Sequence, residues 1–171
     1  MKGLIFALVC SVSIWAQNPP DVFEIARKGT VSQAKEAVLQ NKNCFNIVNN
    51  EGFTPLILAC YKGNVAVAQF IIENEATVNY NSSYGSALMA ATVKGKVELV
   101  KTLLDYKADP NLADDQGNTA LIYAVQFQNS SIIKLLLAHG AQRDAKDAKG
   151  QTVFEYAVKT GNEAIINLIK F

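Results

Sequence analysis

The residues able to do chemistry are few and badly placed for it. His139 is the single histidine, standing beside Gly140 in "LLAHGA". A lone imidazole with no recognisable partner reads as a solvent-exposed turn residue rather than a general base or a ligand. Asp114-Asp115 offers two carboxylates of the kind used in sugar hydrolysis, yet adjacent turn residues seldom face one site. No Cys-x-x-Cys accompanies the histidine, so a structural zinc set is missing. The chain carries no G-x-S-x-G, no G-x-x-x-x-G-K-[ST] and no G-x-G-x-x-G. We therefore expect no enzyme, no metal and no cofactor. Asn81-Ser82-Ser83 and Asn129-Ser130-Ser131 match the glycosylation acceptor pattern. Asn129 falls where a helix should start, so capping is the simpler reading there.

Composition narrows the partners. The chain has 171 residues, half of them apolar, and a formal charge of +1. That length suits one compact domain. Nucleic-acid binders gain affinity from a basic patch that displaces counterions, and no run of five Lys/Arg occurs. We expect no nucleic-acid partner.

The first residues form a separate unit. Met1-Lys2 supplies a positive charge, Leu4 to Val9 an apolar run that continues through Trp15, and Ala16 a small residue before polar Gln17-Asn18. This reads as a secretory signal peptide over 1–16, cut after Ala16. Ile14 is bulky for the third position before the cut. A lipoprotein anchor at Cys10, or an apolar terminal strand or helix, are the alternatives. The segment is shorter than the roughly 20 apolar residues of a membrane helix, and its brevity suggests a bacterial source. The mature chain over 17–171 would be periplasmic or secreted and free of the membrane. Removing Lys2 leaves 15 basic and 15 acidic groups, so strong electrostatic steering is not expected. Cys44 and Cys60 remain, and we expect two separate thiols.

What must position any site is a repeat. Gly52, Gly85, Gly117 and Gly150 lie 33, 32 and 33 residues apart. Leu56, Leu88, Leu121 and Phe154 recur at nearly the same period, and so do Ala59, Ala91, Ala124 and Ala157. Asn46, Asn79, Asn111 and Asp144 close each cycle. Within a cycle a glycine turn leads to Thr54, Ser86, Thr119 or Thr152, each suited to cap a helix. Pro55 follows its cap, where a missing amide costs nothing. The first helix ends near Gly63, Gly95 or Gly161, with Gln128 in the fourth unit. A second helix then pairs aliphatics at helical spacing, as in Val97, Leu99, Val100, Leu103 and Leu104. Such helices are too short to be stable alone, so order must come from stacking neighbours.

"GFTPLILACYKGN", "GNTALIYAV", "LLDYKADPN" and "LLLAHGAQRD" resemble the ankyrin repeat over residues 20–171. The resemblance implies an all-α solenoid of about five stacked helix-turn-helix units with β-turn tips. The units would run about 20–48 as an N-terminal cap, 49–81, 82–113, 114–146, and 147–171 as a C-terminal cap. The family's histidine after T-P-L is replaced by Ile57, Met89, Ile122 and Glu155, from which we expect less rigid turns. The third unit is one residue short, so its tip, "NSSYGSA", should be the most irregular.

The resemblance also implies a non-catalytic scaffold, most simply a monomer, that binds another protein through turn tips and late first-helix positions on a concave face. Those positions are Glu51, Phe53, Tyr61 and Lys62 in the second unit, and Tyr84, Val93 and Lys94 in the third. The fourth supplies Asp115, Gln116, Asn118, Gln126 and Phe127, the fifth Lys149, Gln151 and Lys159. Phe53, Tyr61, Tyr84 and Phe127 are large aromatics where a solvated tip would be polar, as in binding hot spots. Alternatively they pack on a neighbouring turn, or the same aromatic groove takes a small molecule or sugar. Tyr123 and Tyr156 align with inward Leu58 and Ala90 and are expected in the core.

Overall fold

The computed structural model describes residues 20–170; the expected signal peptide lies outside them. Ten helices of seven to ten residues pair off along the described chain. They are α1 Val22–Lys28 with α2 Val31–Gln40, α3 Pro55–Lys62 with α4 Val65–Glu73, and α5 Ala87–Val93 with α6 Val97–Asp105. The last pairs are α7 Ala120–Gln126 with α8 Ser130–Ala138, and α9 Val153–Thr160 with α10 Glu163–Ile169. The odd-numbered helices pack in sequence as one layer, and the even-numbered ones as a second layer behind it. Among the described residues this is an all-α solenoid of five stacked helix pairs, the architecture that the resemblance implies.

Capping fixes where the first helices begin. Thr54, Ser86, Thr119 and Thr152 each accept the amide three residues on, from Ile57, Met89, Ile122 and Glu155. At the second-helix start Asn129 accepts the Ile132 amide at 3.1 Å, the capping role expected of it. The family histidine's place is taken by buried side chains, Ile57, Met89 and Ile122. In the last unit Glu155 instead completes a capping box with Thr152. Leu56, Leu88 and Leu121 are buried, whereas Phe154 in the same column of the last described unit is 41% exposed.

The recurring asparagines turn out to be staples between units. Asn46 Oδ1 accepts the Thr77 amide at 2.7 Å and its Nδ2 donates to the Glu75 carbonyl. Asn79 joins the Asp109 amide and Lys107 carbonyl in the same way, and Asn111 the Gln142 amide and Gly140 carbonyl. Asp144 has no amide group to donate. There the Arg143 guanidinium takes over, donating to the carbonyls of Leu168 and Lys170 at 2.8 and 3.0 Å.

The tips are closed from within. Asn49, Asp114 and Asp147 each accept two amides of their own loop, two and four residues ahead. Contrary to expectation, the third unit has the most regular tip. Its missing residue comes out of the loop ahead of the cap, leaving a tight hairpin of β1 Asn81–Ser82 on β2 Gly85–Ser86. The fourth and fifth tips hold only single bridges, Ala113 to Thr119 and Lys146 to Thr152. Successive tips also touch: Asp115 N–H donates to the Ser83 carbonyl and Ala148 N–H to that of Gln116. Gly117 is required there, since its φ is +76° and a Cβ would stand 2.6 Å from the Ala148 nitrogen.

Candidate binding groove

The first-helix layer and its tips enclose an open groove of about 670 Å³. Its floor is apolar: Ile57 and Leu58 from α3, Met89, Ala90 and Val93 from α5, with Ser86 at the α5 cap. Tyr61 and Lys62 at the end of α3, Gln126 and Phe127 at the end of α7, and Arg27 of α1 form one rim. Glu51, Phe53 and Tyr84 reach in from the tips.

Eight of the positions expected to bind therefore share one concavity: Glu51, Phe53, Tyr61, Lys62, Tyr84, Val93, Gln126 and Phe127. Lys94 stands at its edge, its Nζ 4.4 Å from the Tyr61 ring centroid. Asp115, Gln116 and Asn118 lie on the fourth tip outside the groove, their backbones engaged in loop and tip contacts. Lys149, Gln151 and Lys159 lie on the fifth unit, also outside the groove, where Lys159 donates to Gln151 Oε1 at 2.7 Å. Phe53 is half-buried rather than solvated, tilted against Tyr84. Tyr61, Tyr84 and Phe127 are 49%, 74% and 56% exposed.

Sequence reasoning missed Arg27 because the first unit lacks the turn motif from which positions were transferred. Aligning "VFEIARKG" on "LILACYKG" would have placed it beneath Tyr61. Tyr123 and Tyr156 are a correction: neither is core. Both are half-buried, and Tyr123 lines the groove alongside Leu58 and Ala90. The reason is polar. The Tyr123 hydroxyl donates to Asp114 Oδ2, and the Tyr156 hydroxyl to Asp147 Oδ2 at 2.8 Å, so each phenol has to reach the tip. Burial, with Asp114 second, pushes the Tyr123 phenol up to about 12. The Asp114 carboxylate is occupied by this bond and by its own loop, which suits it to a structural role.

The remaining reactive groups stand apart. Cys44 and Cys60 are free and buried, and desolvation raises both thiols above their ordinary range. A buried protonated thiol is a poor nucleophile. His139 ends α8, its Nδ1 2.8 Å from the Leu135 carbonyl. Among the described residues no cluster of His, Cys, Asp and Glu is grouped to hold a metal, and no helix is long and apolar enough to cross a membrane.

A family model of ankyrin repeats, three copies long, matches residues 22–114 and again 88–170. The chain belongs to the ankyrin-repeat family. It is similar to ankyrin repeat and SAM domain-containing protein 6 of rat, 39% identical over 103 residues, 59% of this chain and 12% of that protein. A putative ankyrin repeat protein of fowlpox virus is 32% identical over 111 residues, 64% of this chain and 25% of the viral one. An ANK repeat-containing protein of Caenorhabditis elegans, nipk-1, is 35% identical over 88 residues, 49% of this chain and 14% of its own length. The chain thus spans a quarter or less of these relatives. Ankyrin repeats are generic protein–protein interaction modules, and nothing in these likenesses points to enzymatic activity.

Proposed function

We propose that this chain is a non-catalytic scaffold that docks a partner protein in the groove between Tyr61, Tyr84 and Phe127. The observation that supports it most is the trio's exposure on one concavity with an apolar floor. Leaving large rings in water forgoes roughly 1.5–3 kcal/mol of burial each, and rigid aromatics around a desolvated centre are what interfaces use as anchors. Export belongs to the same reading, supported by the basic start and apolar run of residues 1–16. The mass of the protein recovered from its native source would register the cut after Ala16.

The test is recovery of partners from native extract by the wild type and by a Tyr61→Ala, Phe127→Ala variant of equal thermal stability. Loss of the recovered protein with the variant supports docking here. Equal recovery by both would place binding on another face.

A further inference from the structure

The groove is charged as well as aromatic, and its charge is one-sided. Lys62 and Lys94 place their Nζ atoms 5.7 and 4.4 Å from the centroid of one ring, that of Tyr61. The two ammonium groups are thus no more than about 10 Å apart, within one Debye length at 0.1 M salt. Neither has an ion-pair partner among the described residues. Arg27 continues this rim; it is bonded to Glu24, but Glu24 also serves Lys28, so the cluster keeps a net positive charge. The single acid in the groove lining is Glu51, which reaches in from a tip. In a chain whose acids and bases nearly cancel, this excess is local.

Two like charges held around one aromatic ring repel each other, and each gains from an anion beside it. A bare anion would leave the apolar floor uncovered. An extended peptide satisfies both surfaces, because successive side chains point to opposite sides with a rise of about 3.3 Å per residue. One side chain can then face the floor while its neighbour reaches the lysine rim.

We propose that the occupant is an acidic, extended segment of the partner protein, with an aliphatic or aromatic side chain on the floor and carboxylates beside Lys62 and Lys94 at the Tyr61 ring. This rests on the docking reading above and specifies its chemistry. The aromatics supply the buried area, and the lysines choose the sign of what is admitted.

The experiment is a selection of random twelve-residue peptides displayed against the full-length chain, with the Tyr61→Ala, Phe127→Ala variant as counter-selection. Peptides that need the aromatics should be enriched in Asp and Glu beside Leu, Ile or Phe. Measured by fluorescence anisotropy, the best of them should lose about tenfold or more in affinity with Lys62→Glu/Lys94→Glu. The milder Lys62→Gln/Lys94→Gln pair, and a peptide with its acids replaced by amides, should show smaller losses in the same direction. All four lysine changes fall on exposed side chains, and thermal melts matching wild type confirm intact folding. Groove-dependent winners that are neutral or basic, or that bind the charge-reversed protein equally well, would overturn the acidic assignment and leave docking standing. No groove-dependent winner at all, or preferential binding of a poly(U) RNA over every peptide, would overturn both.

Discussion

Phe53 and Tyr84 belong to consecutive tips, and their rings meet at 5.4 Å between centroids with planes inclined by 34°. The contact joins the second unit to the third at the place where the later tips use backbone bonds, Asp115 to Ser83 and Ala148 to Gln116. It also sets the mouth of the groove, since Phe53 supports a Tyr84 that remains mostly in water. A double-mutant cycle on Phe53→Ala and Tyr84→Ala, followed by denaturant unfolding, should give a coupling of about 0.5–1.5 kcal/mol. Phe53→Ala alone should cost more than Tyr84→Ala, because Phe53 is half-buried and Tyr84 is 74% exposed. Additive effects would mean the two rings do not support each other.

Leu121 and Phe154 occupy one repeat position with opposite surroundings, fully buried in the fourth unit and 41% exposed in the fifth. If stability resides between units, the environment decides the cost of truncation. Leu121→Ala should cost about 3 kcal/mol, and Phe154→Ala about 1 kcal/mol or less despite deleting the larger side chain. Urea unfolding of both variants checks this; equal losses would locate the stabilisation inside each helix pair instead.

Thr92 is fully buried on α5, and its hydroxyl has no hydrogen-bond partner. The same position holds Val125 in the next unit and Val158 in the last. Burying an unpaired hydroxyl is costly, while an isosteric methyl is welcome there. Thr92→Val should raise stability by about 1 kcal/mol and Val125→Thr should lower it. A neutral or destabilising Thr92→Val would mean the hydroxyl is satisfied.

Asp147 accepts the Tyr156 hydroxyl first of all, then the Gln151 and Lys149 amides, and these bonds hold its carboxyl below the ordinary range. A folded-state value below the unfolded one gives stability that is present above about pH 3.9 and is lost as pH falls through the folded value. Tyr156→Phe removes the leading cause. Its melting temperature should therefore fall less steeply with acid than wild type below about pH 4. Parallel acid limbs in the two proteins would show that the hydroxyl contributes nothing to the depression.

Much of this architecture is legible in the amino-acid sequence. Thr54, Ser86, Thr119 and Thr152 announce helix starts because a cap needs a short hydroxyl next to the first turn, and all four cap as expected. The asparagine period was visible too, but its meaning was not, since a bond from Asn79 to Lys107 and Asp109 lies in the next unit. The hairpin of the third tip was misjudged because losing a residue looked like damage, whereas a shorter loop lets Asn81 pair with Ser86 and Ser82 with Gly85. Tyr123 read as core from its column alone; only the tip carboxylate of Asp114 explains its outward reach. The transferred positions of the second and third units line the groove, with Lys94 at its edge, and those of the fifth lie outside it.

The docking claim is tested most directly by photo-crosslinking with the native partner, using a benzophenone side chain at one position at a time. Val93 on the groove floor is to be compared with Lys101 and Lys134, exposed on the second-helix layer. The account predicts a partner adduct from Val93 and none from either lysine position. Adducts from Lys101 or Lys134 with none from Val93 would contradict it.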